Sequence, residues 1–179
     1  MNGAAGYTGT ISLGDLDVWT FTACPGEPIS LSLQELVSGS SLTPQLRLYG
    51  RDGVLLNTHS GTAVAQINRT APTGGTYVVV AGDVSGSWGG SGDYIFTVSG
   101  LSGGLKLCTP GFSGPNVNVT GIGGKTNATF VLFTQTNAAA PLSAWSPILT
   151  NQFDLFGVFT QTNVANRTDA QRYFHLVQP

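Results

Sequence analysis

The residues of this chain best suited to chemistry are Asp15, Asp17, Asp83 and Asp93, the two cysteines Cys24 and Cys108, and the histidines His59 and His175. Hard cations such as Ca2+ gather several carboxylate and carbonyl oxygens, so the four aspartates together could hold one. Their spacing matches neither an EF-hand loop nor a short acidic repeat. The competing reading is that Asp15 makes a turn with its own backbone and that Asp17 is solvated, and the sequence favours it. No bound cofactor is expected beyond that Ca2+ alternative. Two cysteines in an oxidising compartment pair as one disulfide, and a Cys24–Cys108 bond would close a long loop. The alternative is two buried thiols. His59 and His175 lack the company of a nucleophile elbow or a paired acid, so no catalytic residue is assigned and the chain is not read as an enzyme.

Other candidates lie in turn-rich stretches. Trp88 sits in a run of Gly and Ser, where an exposed indole could stack on a sugar ring; the competing reading folds it back over a sheet edge. Trp19 and Trp145 read as core. Asn68, Asn118, Asn127 and Asn166 each begin an Asn-x-Ser/Thr sequon, the acceptor for N-linked glycans in secreted proteins.

These residues need strands to hold them. Residues 17–23 alternate, with Trp19, Phe21 and Ala23 on one face and Val18, Thr20 and Thr22 on the other. Residues 29–34 alternate in the same way, with Ile29, Leu31 and Leu33 inward. The Cys-Pro-Gly at 24–26 between them is turn chemistry, so 14–33 reads as a hairpin. Further strands are expected at 7–14, 44–49, 54–56, 62–67, 76–81 and 93–99, with 57–61 as a polar loop and 76–81, the most apolar, as a central strand. Short strands at regular spacing between Gly/Pro turns indicate a β-sandwich or jelly roll. The fold class is therefore all-β, a sandwich of eight strands followed by a smaller β-module. Residues 1–13 read as a strand-like arm, 14–100 as the sandwich, 100–104 as a linker and 105–179 as the smaller module. Strand-like stretches in the last part fall at 128–134, 148–153, 157–162 and 172–177. FTQTN occurs at 133–137 and again at 159–163, read as two similar strand ends leaving into similar turns.

Composition narrows the setting. Charged residues make up 9% of the 179, against roughly 25% in an average soluble domain, and Gly, Ser, Thr and Asn replace them. The seven basic residues are scattered rather than clustered, which excludes a nucleic-acid footprint. No apolar run reaches the roughly 20 residues of a membrane-spanning helix. The first residues have no basic start and no apolar stretch, so either a leader has been removed or the chain is part of something longer. The two lysines leave sheet edges short of the charge that normally guards them. The location expected is extracellular or at the cell surface.

Residues 8–99 resemble the bacterial pre-peptidase C-terminal domain family. The blocks that carry the likeness are GTISLGDLDVWTFTACPGEPISLSL, PQLRLYGRDGVLL, APTGGTYVVVAGD and GSGDYIFTV, in that order. The resemblance implies a secreted eight-stranded jelly roll, not itself catalytic, appended to a hydrolase or surface protein. Some relatives bind calcium or extracellular polymers. Their calcium sites draw on acids before the first strand, and residues 1–10 here contain none. Residues 129–177, through FVLFTQTNAAAPLSAWSPI, FDLFGVFTQTN and QRYFHL, look like a C-terminal β-module of secreted Verrucomicrobia-like proteins.

The function expected is thus a non-enzymatic structural or adhesive subunit of an extracellular fibre or matrix. Its partners would be other copies of itself, joined by β-strand addition from the 1–13 arm. The alternative is an accessory module that holds a secreted hydrolase to polysaccharide or protein.

Overall fold

The alternation in 16–23 becomes a strand whose inward side chains are Trp19, Phe21 and Ala23, with Val18 and Thr20 exposed. The computed structural model describes residues 5–84, 89–101, 103–168 and 171–179. It divides into two units, 1–103 and 104–179, and the division falls within the expected linker.

The first unit holds β1 (Ala5–Ile11), β2 (Leu16–Ala23), β3 (Pro28–Glu35), β4 (Pro44–Tyr49), β5 (Leu55–Ser60), β6 (Val64–Thr70), β7 (Gly75–Asp83) and β8 (Gly92–Ser99). They form two antiparallel sheets ordered β1-β8-β3-β6 and β2-β7-β4-β5. That is the jelly-roll order, in which successive strands pass back and forth between two facing sheets. The most apolar strand, β7, lies between β2 and β4, as its lack of polar alternation requires. Ile29, Leu31, Leu33, Leu46, Leu48, Val79, Phe96 and Val98 are all buried between the sheets. Phe21 and Tyr77 are opposite one another across β2 and β7, with ring centroids 5.5 Å apart and planes 6° apart. Such a pair adds about 0.5–1.5 kcal/mol beyond area burial.

Three expectations change here. β2 and β3 do not pair as a hairpin. β2 hydrogen-bonds to β7, while β3 bonds to β6 and β8 in the facing sheet, so the Cys-Pro-Gly turn crosses the sandwich. Residues 57–60 are not a loop but part of β5, an edge strand whose polar sequence suits its exposure. Most consequentially, within the segment read as a 1–13 arm, residues 5–11 are not detached. Ala5 to Ile11 pairs residue for residue with Val98 to Gly92 of the same chain, and Ile11 is in the core. The backbone groups an arm would offer a neighbour on that side are already bonded.

The second unit holds β9 (Lys106–Leu107), β10 (Gly111–Ser113), β11 (Asn116–Ile122), β12 (Thr129–Gln135), β13 (Ser146–Gln152), β14 (Phe159–Asn166) and β15 (Tyr173–Val177), with a 3-10 turn at Leu142–Ala144. One sheet runs β10-β11-β14 with β9 also on β11; the other runs β13-β12-β15. Its core is small: Val119, Phe130, Leu132, Phe153 and Phe159, with Leu107, Leu149, Val164, Phe174 and Leu176 packed against it. Phe130 lies 4.0 Å from Phe159 and 4.9 Å from Phe153 between ring centroids.

The two FTQTN copies differ in context. The first ends β12; the second opens β14, which continues through it to Asn166. Asn163, the last residue of the second copy, has φ 59°. Asn tolerates that left-handed conformation, and here it sits in a bulge against β11, its N–H donating to Asn118 Oδ1 at 3.2 Å.

Candidate functional site

The four aspartates read as a potential cation site are each used separately. Asp15 Oδ1 accepts the N–H of Leu16 at 2.9 Å, closing the turn between β1 and β2. Asp17 points inward and its Oδ2 accepts the hydroxyl of Tyr94 at 2.5 Å, so it is not simply solvated. Burial, and then this bond to Asp17, pushes the ionisation of Tyr94 well above the ordinary phenol range. A Cβ on Gly9 of β1 would collide with that hydroxyl, which is why the strand has no side chain there. Asp83, 2% exposed, accepts the N–H of Thr43 at 2.7 Å and that of Gly90 at 3.1 Å. Asp93 faces outward and accepts the hydroxyl of Thr10 at 2.6 Å, tying β8 to β1. Among the described residues no three His, Cys, Asp or Glu side chains come together as a metal site. The cation reading of Asp15, Asp17, Asp83 and Asp93 is therefore corrected: strand register directs them to different backbone and hydroxyl donors.

The same pattern extends to the other acids. Glu27 accepts the N–H of Cys24 at 2.7 Å, Glu35 that of Ser40 at 2.8 Å, and Asp52 that of Val54 at 3.2 Å. In the second unit Asp154 accepts from both Phe156 and Val158 at 2.9 Å. Of the nine acidic residues in the chain, eight shape turns or lock strands, and the ninth, Asp169, lies outside the described residues. Sequence reading missed this use. The signal was there in part: most of these acids stand beside Gly, Pro or Ser in turn-forming stretches.

The cysteines are both buried and both disulfide-bonded, and they are the chain's only two, so the bond is Cys24–Cys108. His59 Nδ1 accepts the N–H of Gln66 at 3.1 Å on the edge of the first unit. His175 lies edge-on to Trp145 in the second unit, 5.9 Å between ring centroids. Trp145 itself is half-buried rather than core, and its indole N–H donates to Ala140 O at 3.0 Å. Trp88 lies outside the described residues.

The sequon asparagines fall at varied places. Asn68 is exposed on β6 and accepts the Ser30 hydroxyl at 2.8 Å. Asn118 holds the β14 bulge. Asn127 is exposed in the turn before β12 with φ 56°. Asn166 accepts from both the N–H and the hydroxyl of Thr168, at 3.1 and 2.9 Å.

One concave surface in the second unit combines charge with an apolar floor. Phe112, Val117 and Ala165 are opposite one another across β10, β11 and β14, so they form a row on one face. Beyond the end of β14, the N–H of Arg167 donates to Pro115 O at 2.6 Å, which brings its guanidinium over the Phe112 ring, 5.0 Å from the centroid. The resulting groove, about 300 Å3, is lined also by Gln171, Arg172 and Phe174. Sequence reading missed it, because Phe112 and the two arginines meet only through strand pairing.

No family profile matches the chain, and no curated protein does. Among solved structures it is similar to a β-1,2-glucanase from Parabacteroides distasonis at 8% identity and a TM-score of 0.25. The comparison covers all of this chain and 38% of that one, so the chain spans well under two thirds of the glucanase's length. So distant a likeness carries no argument about fold or chemistry.

Proposed function

We propose that this chain is a non-enzymatic structural and adhesive protein of the cell exterior, whose copies associate through sheet edges. The observation that carries the proposal is β1: seven residues with no charge among them, forming the end strand of its sheet. An edge strand presents a row of backbone donors and acceptors, and charge is the usual means of keeping other chains away from it. The expected donor arm is thereby replaced by an open edge that can receive or exchange a strand with another copy. Two further features support the reading. Eight of the nine acids are committed to holding the fold, and a buried disulfide suits an oxidising compartment. The block order of residues 8–99 supports kinship with the pre-peptidase C-terminal family, whose members accompany secreted proteins.

Sedimentation velocity across a range of concentrations tests this. The weight-average mass should rise with concentration, and Thr8→Lys, which places a charge on the edge strand, should abolish the rise. A chain that stays monomeric at high concentration would sink the assembly reading. The second reading, an accessory polysaccharide- or protein-binding module of a secreted hydrolase, is favoured by the groove beneath Arg167.

A further inference from the structure

We propose that two copies of this chain join as a closed two-fold pair, β1 against β1, with Thr8 on the axis. The inference rests on the sheet-edge association above and adds which edge is used, in what register, and where growth stops.

The sheets of the first unit have four end strands, β1, β6, β2 and β5, and three of them are guarded. On β6 the N–H of Gln66 donates to His59 Nδ1 at 3.1 Å, and the strand carries the cation of Arg69. On β5 the register against β4 shifts, which leaves Leu56 without a partner there, and Arg69 Nη1 donates to the Leu56 carbonyl. On β2 the carboxylate of Asp17 points inward to Tyr94. Bulges, charges and inward-pointing acids are devices that keep an edge from pairing. β1 has no charge, no proline, and a register with β8 unbroken from Ala5 to Ile11. Joining the β1 of one copy to the β5 or β6 of the next would displace the side chains that cap those edges, so like meets like. An isologous contact of that kind occupies the same patch on both copies and closes at two.

The register follows from the directions of the hydrogen bonds. The N–H of Leu36 donates to Asp93 O at 2.8 Å, so the backbone of Asp93 faces β3. Directions alternate along an antiparallel strand. That turns Tyr94 and Phe96 toward β1, and their partners there, Gly9 and Tyr7, toward β8. Gly6, Thr8 and Thr10 therefore aim their N–H and C=O groups at the free edge, and all three residues are exposed. Antiparallel pairing with Thr8 opposite Thr8, and Gly6 opposite Thr10, engages all of them. Three residues with one donor and one acceptor each then exchange six hydrogen bonds across the axis. A shift of two residues in either direction carries Thr10 or Gly6 past the end of the partner strand. On the outer face the two Thr8 side chains meet, a favourable cross-strand pair.

Sedimentation equilibrium and disulfide trapping on the full chain test this. The weight-average mass should level off at twice the 18.5 kDa of one chain. Residues opposite one another in a hydrogen-bonded pair have Cα atoms about 5.5 Å apart, within the roughly 4.4–6.8 Å that a disulfide spans. Thr8→Cys, oxidised with copper–phenanthroline, should therefore give a linked dimer on a non-reducing gel. Two copies of Thr10 would lie four residues apart along the strands, about 13 Å. Thr10→Cys should therefore cross-link at least about tenfold more slowly than Thr8→Cys, being outside the disulfide window. Should Thr10→Cys fail to fold, Thr70→Cys, exposed at the end of β6, is the control. A mass that climbs past two chains would overturn the closed pair and leave the association standing. A mass that rises while Thr8→Cys cross-links no faster than the control would overturn the register and the axis. A chain that stays monomeric at every concentration would overturn the association itself, and this pair with it.

Discussion

Replacing Phe130 with Ala should strongly destabilise the second unit and leave the first intact. Phe130 is fully buried and touches both other rings of its core, so its removal deletes two of the three ring pairs at once. Truncating a buried Phe costs about 3–5 kcal/mol, and with both pairs lost the upper end applies. Residues 104–179 make a unit of 76 residues. At roughly 0.05–0.15 kcal/mol per residue, its whole stability is about 4–11 kcal/mol. The substitution therefore consumes from a little under half to all of it. At about 4–8 °C per kcal/mol for a domain of this size, the unit's melting temperature should fall by about 20 °C or more. The first unit has its own, larger core, nineteen buried residues among those described, and should not respond. Hydrogen exchange read peptide by peptide resolves the two. Protection should collapse across 116–177 and persist across 16–99, while Phe130→Leu, which keeps most of the bulk, should cost much less. Parallel loss of protection in both units would refute the reasoning, as would full retention in the second.

Other perturbations follow from the same contacts. Cys24→Ser with Cys108→Ser opens a loop of 85 residues (24–108 inclusive), for which the chain-entropy model gives about 4–5 kcal/mol; chemical denaturation under non-reducing conditions should show the loss in the first unit. Asp83→Ala orphans the buried N–H bonds of Thr43 and Gly90 and should cost about 2–4 kcal/mol in urea melts, against less than about 1 kcal/mol for exposed Asp15→Ala. Tyr94 ionises later in the folded chain than in the unfolded one, so its contribution is complete below about pH 10 and is lost as pH rises further, by up to about 1.4 kcal/mol per pH unit. Alkaline melts of Tyr94→Phe should show a shallower decline than the parent.

Much of the first unit could be read without coordinates. The inward positions of β2, β3 and β4 are those that alternation in Trp19–Ala23, Ile29–Leu33 and Leu46–Leu48 indicates. The centrality of β7 follows from its unbroken apolar run. The strand read at 54–56 marks the start of β5, but the rest of that edge strand is not legible for the converse reason: Asn57 to Ser60 is polar because it is exposed, and polarity alone looks like a loop. The candidate cation site failed because four carboxylates in a sequence say nothing about which donors will lie nearest to them. Asp83 finds Thr43, forty residues away, only after β4 has paired with β7.

What the sequence by itself determines about this protein is which residues face inward, where the chain turns, that the chain carries few charges, and that it has two cysteines able to pair. Those properties are local: side-chain period, glycine and proline geometry, and composition. The partners of each strand were decided only by tertiary structure, because every backbone offers the same N–H and C=O groups and pairing is chosen by the packing of the whole sandwich. That choice separated β2 from β3, bound residues 5–11 of the expected arm into their own sheet, and spent eight of the nine acids on holding turns or locking strands. It also brought Phe112 under Arg167, and with that contact made the groove.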